Sequence, residues 1–197
     1  MKNSYSLGEI VSNIISLIYT KLFFPGARLI RRPVYIRGKK FLQYGKGLTT
    51  GYNCRLEMFD NGNGIKKKLI IGLNCKMGDN VHIAASERVV IGDNCLMASK
   101  IYISDTSHGD YSDMSVDSSP DIAPDDRPLY SKPVCIGNNV WIGENVCILL
   151  GVTIGDGCII GANSVVNKDI PKDCIAVGSP AKVIKRFNRE LNKWEKI

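Results

Sequence analysis

Histidine is scarce in this sequence, since only His82 and His108 occur among its 197 residues. The seven cysteines include no pair with the spacing C-x-x-C. Structural zinc sites and dithiol redox sites need such ligand clusters, so neither is expected and no metal is predicted. Free thiols instead fit a reducing setting as small packing residues.

The sequence also lacks a long run of apolar residues. Its most apolar stretch, residues 7–24, is interrupted by Glu9, Asn13 and Lys21. A membrane-spanning helix needs about 20 largely apolar residues, so no span is expected. No small-residue cleavage site of a secretory signal follows the stretch either. We therefore expect a cytoplasmic protein.

Charge is distributed unevenly along the chain, whose net charge is +7. Residues 1–46 hold nine basic residues and one acidic residue, and residues 181–197 hold six basic and two acidic residues. Nucleic-acid-binding proteins more often carry a basic face on the folded body, so no nucleic acid partner is expected. Basic ends instead suit phosphate groups, acidic glycans or an anionic membrane surface.

A six-residue period dominates the sequence from residue 71 onward. An aliphatic residue or methionine begins each of twelve sextets: Ile71, Met77, Ile83, Ile91, Met97, Ile103, Ile136, Ile142, Ile148, Ile154, Ile160 and Val166. Asparagine or glycine is frequent at the fourth place, where it tolerates the left-handed backbone angles of a corner. One inward-pointing residue per sextet predicts a β-solenoid with coils of about 18 residues.

The period divides the chain into three predicted segments. Residues 1–32 form a helical cap, residues 33–180 the solenoid, and residues 181–197 a C-terminal helix. Register arithmetic places a long loop excursion at about 109–135 and a short one near 62–70. The N-terminal segment is predicted to be helical, with apolar positions at Leu7, Ile10, Val11, Ile14, Leu17, Ile18 and Leu22. The N-terminal helix has two open roles: covering the solenoid edge or a subunit, or lying on a membrane.

His108 occupies the sixth position of the sextet that begins at Ile103, at the root of the long excursion. A near-neutral base at a rigid corner beside a polar loop suits proton abstraction from a hydroxyl. The alternative is an exposed corner histidine without chemistry. Asp105 has two open roles, since it could orient the imidazole or hold the corner turn. His82 has no loop beside it and is expected to be structural.

Three motifs resemble the hexapeptide-repeat acyltransferases. They are I-G-D-N-C at 91–95 followed by S-H-G at 107–109, N-V-W-I-G-E-N at 139–145, and A-V-G-S-P-A-K-V-I-K-R at 176–186. The chain looks like the galactoside, maltose and nodulation-factor O-acetyltransferase branch, and within it like the lipopolysaccharide O-antigen acetyltransferases. The resemblance implies an all-β, left-handed parallel β-helix. It also implies a homotrimer with active sites between adjacent subunits.

The resemblance implies roles for individual residues as well. His108 would be the general base, and Trp141 would form an apolar wall beside the reacting centre. Acetyl-CoA would be the acetyl donor. The small residues along its pantetheine arm and the basic residues near its phosphates would be Gly143, Gly161, Ala162, Lys168 and Lys185. The family's sugar-binding asparagine falls at or near Gly78, where this sequence departs from the pattern.

The favoured function is therefore O-acetylation of a sugar hydroxyl, free or lipid-linked, in the biosynthesis of a surface polysaccharide such as O-antigen or capsule. Two alternatives stay open. One is an N-acetyltransferase that acts on an amino sugar or a xenobiotic. The other is a trimeric solenoid scaffold without catalysis. The basic N-terminal segment agrees with a peripheral contact at the inner face of the membrane.

Overall fold

The computed structural model describes residues 5–62, 64–112 and 117–197. Residues 1–4 of the predicted cap, and residues 63 and 113–116 of the predicted excursions, lie outside the described residues. Within those ranges the chain begins with helix α1 (Leu7–Phe23) and continues almost entirely in short strands.

The strands follow one another at short intervals along the chain. In chain order they are β1 (Leu29–Ile30), β2 (Val34–Arg37), β3 (Leu42–Tyr44), β4 (Thr49–Thr50), β5 (Cys54–Met58), β6 (Leu69–Ile71), β7 (Lys76–Met77), β8 (His82–Ala85), β9 (Val89–Ile91), β10 (Leu96–Met97), β11 (Tyr102–Ser104), β12 (Thr106–His108), β13 (Leu129–Ser131), β14 (Val134–Ile136), β15 (Trp141–Ile142), β16 (Cys147–Ile148), β17 (Thr153–Ile154), β18 (Ile159–Ile160), β19 (Val165–Val166), β20 (Cys174–Val177), β21 (Lys182–Asn188) and β22 (Lys193–Lys196). Short 3-10 helices occupy Lys39–Phe41 and Pro124–Asp126.

Parallel strands from successive coils stack into three faces. Face A has the order β1-β4-β7-β10-β15-β18-β20-β21-β22, face B the order β2-β5-β8-β11-β16-β19, and face C the order β3-β6-β9-β14-β17. Up to β19 the chain visits A, B and C in turn, and β20, β21 and β22 then complete face A. The predicted solenoid is therefore confirmed.

The core lies on the inside of these three faces. All twelve residues that begin the sextets are at most 4% exposed. The corners carry asparagines with φ between 55° and 60°: Asn53, Asn74, Asn80, Asn94, Asn139, Asn145 and Asn163. Both columns of the sequence pattern therefore have the structural role predicted for them.

The long excursion leaves the solenoid at the end of face B. Strand β12 pairs antiparallel with β13, so that His108 lies opposite Leu129. The excursion thus begins at Thr106, three residues before the predicted start, because its two ends pair with each other as a stem. At the other end, Cys135 belongs to β14 on face C and not to the excursion.

Helix α1 lies against the first coil with its polar side, so its apolar positions face outward. The seven apolar positions named above are all at least 42% exposed. Ser16 and Thr20 are fully buried instead. Thr20 Oγ1 accepts a hydrogen bond of 2.8 Å from the Ile30 N–H, and Ser16 Oγ accepts one of 3.2 Å from the Arg32 N–H. Unpaired N–H groups beside an open strand edge need acceptors, which hydroxyl groups supply and aliphatic side chains do not.

The predicted C-terminal helix at 181–197 is also wrong. Strand β21 pairs antiparallel with β20, and β22 pairs antiparallel with β21. The segment V-I-K-R-F alternates in exposure, and the Phe187 and Trp194 rings lie 5.2 Å apart across the hairpin. The free edge of β20 offers hydrogen-bond partners to the backbone of this segment. A strand is therefore more stable here than a short helix, which would be only marginally stable by itself. Among the described residues, no helix has the length and apolar content to cross a membrane.

Candidate active site

His108 ends strand β12 and its side chain is exposed at the root of the excursion. Its Nδ1 lies 3.1 Å from the main-chain carbonyl oxygen of Pro124. A carbonyl oxygen can only accept, so Nδ1 carries the proton of the neutral ring. In this tautomer the lone pair is on Nε2, the ring nitrogen that does not contact Pro124.

The excursion holds His108 through its main chain as well. The Tyr111 hydroxyl donates to the His108 carbonyl oxygen at 2.8 Å, and it accepts from Arg127 Nη1 at 2.8 Å. Arg127 also donates through Nε to the Ile122 carbonyl oxygen at 2.9 Å. These bonds tie the loop to the histidine from both sides of the stem.

Asp105 does not orient His108. Its buried carboxylate accepts hydrogen bonds from the backbone N–H groups of Ser86, Glu87 and Arg88 at 2.8, 2.9 and 2.6 Å. It also accepts from the Thr106 hydroxyl at 2.8 Å. The role left open for it at the corner turn is therefore the one that the structure supports.

His82 belongs to a separate ion-pair cluster on face B. Its Nε2 lies 3.0 Å from Glu57 Oε2, which also accepts from Arg55 Nε at 2.6 Å. The hydrogen bond from Arg55 is the main reason that the pKa of Glu57 lies below its ordinary value. The His82 ring also contacts the ring of Tyr102, with centroids 5.2 Å apart. The expected structural role agrees with these contacts.

Trp141 lies on the outer side of face A and is 51% exposed. Strand register joins it to Leu96 on one side and to Ile159 on the other. The same row continues through Ile175 to Lys185 on β21. Trp141 and Lys185 therefore share one outward row, three strands apart.

Gly143, Gly161 and Ala162 occupy the corner between faces A and B. A Cβ atom on Gly143 would lie 2.7 Å from the Ala162 nitrogen, and one on Gly161 would lie 2.6 Å from Val177 Cγ1. Coil stacking thus requires a glycine at 143, where a Cβ would meet the backbone of the next coil, whereas at 161 a Cβ would crowd the Val177 side chain. Ala162 is exposed at the corner.

The sequence-predicted residues fall into two groups on different edges. His108 and the exposed Lys168 lie beyond face B, at the edge where the chain turns toward face C. The other five residues lie on face A or at the corner between A and B. Face B separates the groups, and no hydrogen bond or ion pair within the described ranges joins them. A single chain therefore does not assemble the predicted site.

Sequence reasoning missed the partner of His108. A main-chain carbonyl 16 residues away has no side-chain signature, and only the proline-rich composition of the excursion marks a rigid loop.

The expectations for the thiols agree with the structure, because all seven cysteines are free and five are buried. Burial raises the pKa of the Cys54 thiol to about 11. Among the described residues, no cluster of three or more metal-binding side chains occurs.

Comparison with known proteins gives consistent relatives. A family model described as bacterial transferase hexapeptide (six repeats) matches residues 136–168. The putative lipopolysaccharide biosynthesis O-acetyl transferase WbbJ of Escherichia coli (strain K12) is 41% identical over 192 residues, which is 98% of this chain and 95% of that protein. The galactoside O-acetyltransferase of the same strain is 57% identical over 60 residues, which is 30% of each chain.

Solved structures extend the comparison to the whole fold. Galactoside acetyltransferase in complex with coenzyme A has a TM-score of 0.54 and 26% identity, over 95% of this chain and 86% of that chain. The D94N mutant of AntD, an N-acyltransferase from Bacillus cereus, has a TM-score of 0.65 at 20% identity over 96% and 94%, which bears on the fold alone. These matches confirm the predicted left-handed parallel β-helix, the predicted acyltransferase class and acetyl-CoA as donor. The chain belongs to the family of hexapeptide-repeat acyltransferases.

Proposed function

We propose that this acetyltransferase transfers the acetyl group of acetyl-CoA to a sugar hydroxyl during the biosynthesis of a surface polysaccharide, with His108 as the general base. The observation that carries the proposal is the exposed imidazole whose Nδ1 is held by the Pro124 carbonyl oxygen. The full-length similarity to the putative lipopolysaccharide biosynthesis O-acetyl transferase WbbJ supports the choice of acceptor class.

The reaction needs one proton to be moved twice. His108 Nε2 takes the proton of the acceptor hydroxyl as the hydroxyl oxygen bonds to the thioester carbonyl carbon. The carbon–sulfur bond then breaks, and the imidazolium returns the proton to the leaving thiolate of CoA. A positioned base of this kind contributes about 10²–10⁴-fold to the rate.

The acetyl donor fits the exposed row on face A. Trp141 would form an apolar wall for the donor. The small side chain of Ala162 would leave room for the donor at the corner, and Lys185 would supply a positive charge for its phosphate groups. On this proposal Gly143 and Gly161 contribute by keeping the corner backbone close to the arm of the donor. Lys168 lies on the other edge, so it would reach the phosphates from a neighbouring subunit.

We propose that the functional unit is a homotrimer. The edge with His108 of one chain would face the row with Trp141 of the next chain. A head-to-tail contact of this kind closes into a ring of threefold symmetry, and the ring then holds one identical site at each junction between subunits. The division of the predicted residues between two edges supports this arrangement.

We further propose that the enzyme works in the cytoplasm at the inner face of the membrane. Five buried, unpaired cysteines agree with a reducing compartment. The basic residues near α1 agree with an anionic surface.

The test is acceptor-dependent release of CoA thiol from acetyl-CoA, with glycan extracts and simple sugars as acceptors. We expect His108→Ala to lower the rate by about 10²–10⁴-fold. His82→Gln is the matched control, because it changes the other histidine outside the proposed site, and it should keep the wild-type rate to within about twofold. An unchanged rate in His108→Ala would contradict the assignment of the base.

The product decides between the proposed acceptor and an amino group. An acetyl ester is cleaved by mild alkali, whereas an acetamide is not. An alkali-stable product would show an N-acetyltransferase instead. Absence of both thiol release and acetyl-CoA binding would favour a scaffold without catalysis.

A further inference from the structure

Two pockets adjoin where α1 crosses the first coils of face A. The larger has a volume of 610 Å³ and is lined by Arg28, Arg31 and Lys76 together with Thr49 and Leu96. The smaller has a volume of 390 Å³ and is lined mainly by apolar residues of α1: Ile10, Ile14 and Leu17. Both are also lined by Tyr5, Asn13, Arg28 and Leu29, so they form one continuous depression.

The larger pocket is positively charged and has no internal counter-ion. None of the described residues that line it is acidic. Arg31 is held in place, because its Nε donates to Asn13 Oδ1 at 3.3 Å and its Nη1 donates to the Thr50 carbonyl oxygen at 3.2 Å. Arg28 and Lys76 are exposed, and neither takes part in an ion pair with the described residues. Three cations around one pocket suit a phosphate or diphosphate group.

The smaller pocket has the opposite character. Ile10, Ile14 and Leu17 are 42%, 52% and 43% exposed, although they are aliphatic. They remain exposed because α1 turns its hydroxyl-bearing side toward the solenoid. An apolar groove that opens directly into a basic pocket is complementary to an amphiphile: hydrocarbon in the groove and phosphate in the pocket.

The pocket lies in line with the proposed reaction centre. The outward row of face A runs from Leu29 through Thr49, Lys76 and Leu96 to Trp141. Lys76 and Trp141 are two strands apart, which is about 10 Å at the usual strand spacing. A sugar joined to a phosphate beside Lys76 would therefore extend toward Trp141 and the neighbouring His108.

We propose that the depression binds the phosphate and the adjoining hydrocarbon of a lipid-linked glycan, which is the acceptor. The inference rests on the proposed function and specifies its substrate as a glycan carried on a long-chain lipid phosphate. Arg28, Arg31 and Lys76 contact the phosphate, and the exposed face of α1 contacts the hydrocarbon.

The test is binding of the full-length protein to vesicles in a flotation assay. Three vesicles are compared: phosphatidylcholine alone, phosphatidylcholine with a polyprenyl monophosphate, and phosphatidylcholine with phosphatidylglycerol at the same surface charge. The double variant Arg28→Gln/Lys76→Gln removes two charges from the pocket. Lys66→Gln/Lys196→Gln is the matched control, because it removes two exposed charges elsewhere.

We expect the wild type to bind the polyprenyl phosphate vesicles best, and the pocket variant to lose about tenfold or more of that binding. The matched control should lose no more than about twofold. Soluble pyrophosphate should compete with the polyprenyl phosphate vesicles. Ile14→Gln/Leu17→Gln should weaken binding without changing the molar mass measured by light scattering.

Three results would overturn the inference. Equal binding to both charged vesicles would mean general attraction to an anionic surface. Equal losses in the pocket variant and the matched control would exclude the pocket. A lower molar mass in Ile14→Gln/Leu17→Gln would show that a second copy of the chain covers the apolar face. Thiol release by the wild type is measured in parallel, so that a failure of the proposed function is recognised separately.

Discussion

The division of the proposed site between two edges can be tested by mixing subunits. His108→Ala removes the base from one edge, and Trp141→Ala removes the apolar wall from face A. Each homotrimer should be impaired at every site, by about 10²-fold or more for His108→Ala and about tenfold or more for Trp141→Ala. Both side chains are exposed, so neither change opens a cavity in the core.

The expected gain on mixing follows from the geometry of a ring. A site is intact only where a chain with His108 precedes a chain with Trp141. Every trimer that contains both variants, whether in the ratio 2:1 or 1:2, has one such junction. Mixed trimers should therefore recover about one third of the wild-type rate.

The assay uses co-expression of the two variants with different affinity tags and purification over both. Thiol release is then measured per trimer, and light scattering confirms the molar mass. Two His108→Ala chains with different tags are the control, and they should recover nothing. Mixed trimers as inactive as their parents would refute the shared site, and a monomeric wild type would refute the ring itself.

Three further predictions concern stability. Asp105→Asn replaces an acceptor by a donor facing buried N–H groups, so chemical denaturation should show a loss of about 2–4 kcal/mol; a loss below about 0.5 kcal/mol would contradict its corner role. Thr20→Val removes the acceptor of the Ile30 N–H and should cost about 1–3 kcal/mol, whereas Leu22→Ser, on the exposed side of α1, should cost little; equal losses would mean that the helix lies otherwise. Because the folded-state pKa of Glu57 is lowered from 4.5, its contribution to stability is present above that value and is lost as the pH falls further. The stability difference between the wild type and Glu57→Gln should therefore shrink below about pH 4.5, and a difference independent of pH would contradict the ion-pair cluster.

The solenoid was predictable because its rule is local and repeats. A residue such as Ile142 needs only its place in the sextet to be assigned to the core, and Asn145 needs only its place to be assigned to a corner. Each coil repeats the same pattern of apolar and corner residues, so an irregular sextet does not change the register assigned to the next one. His108 could be found for the same reason, since the register locates it at the root of an interruption.

The chain ends were not predictable in the same way. The apolar pattern of α1 predicted a helix but not which side of it faces the solenoid. Ser16 and Thr20 face the solenoid because the first coil exposes N–H groups there. Apolar and polar residues alternate only weakly in the sequence from Lys182 to Asn188, so the sequence alone does not indicate a strand. The segment forms a strand because it pairs with the free edge of β20. Both outcomes depend on unpaired backbone groups of other segments, which a side-chain pattern does not reveal. The Pro124 carbonyl oxygen that holds His108 was missed for this reason too.

The two ends of the solenoid differ in what they leave exposed, and this difference has a functional consequence. Hydroxyl groups cover the first edge, so the apolar side of α1 faces outward beside Arg28 and Lys76. Antiparallel strands cover the last edge, so the outward row there continues through Lys185 to Lys196. The row through Trp141 joins these two surfaces. On the proposals above, a lipid phosphate binds at one end and the donor's phosphates at the other. The acetyl group then passes between them at the middle coils, where the neighbouring His108 would lie.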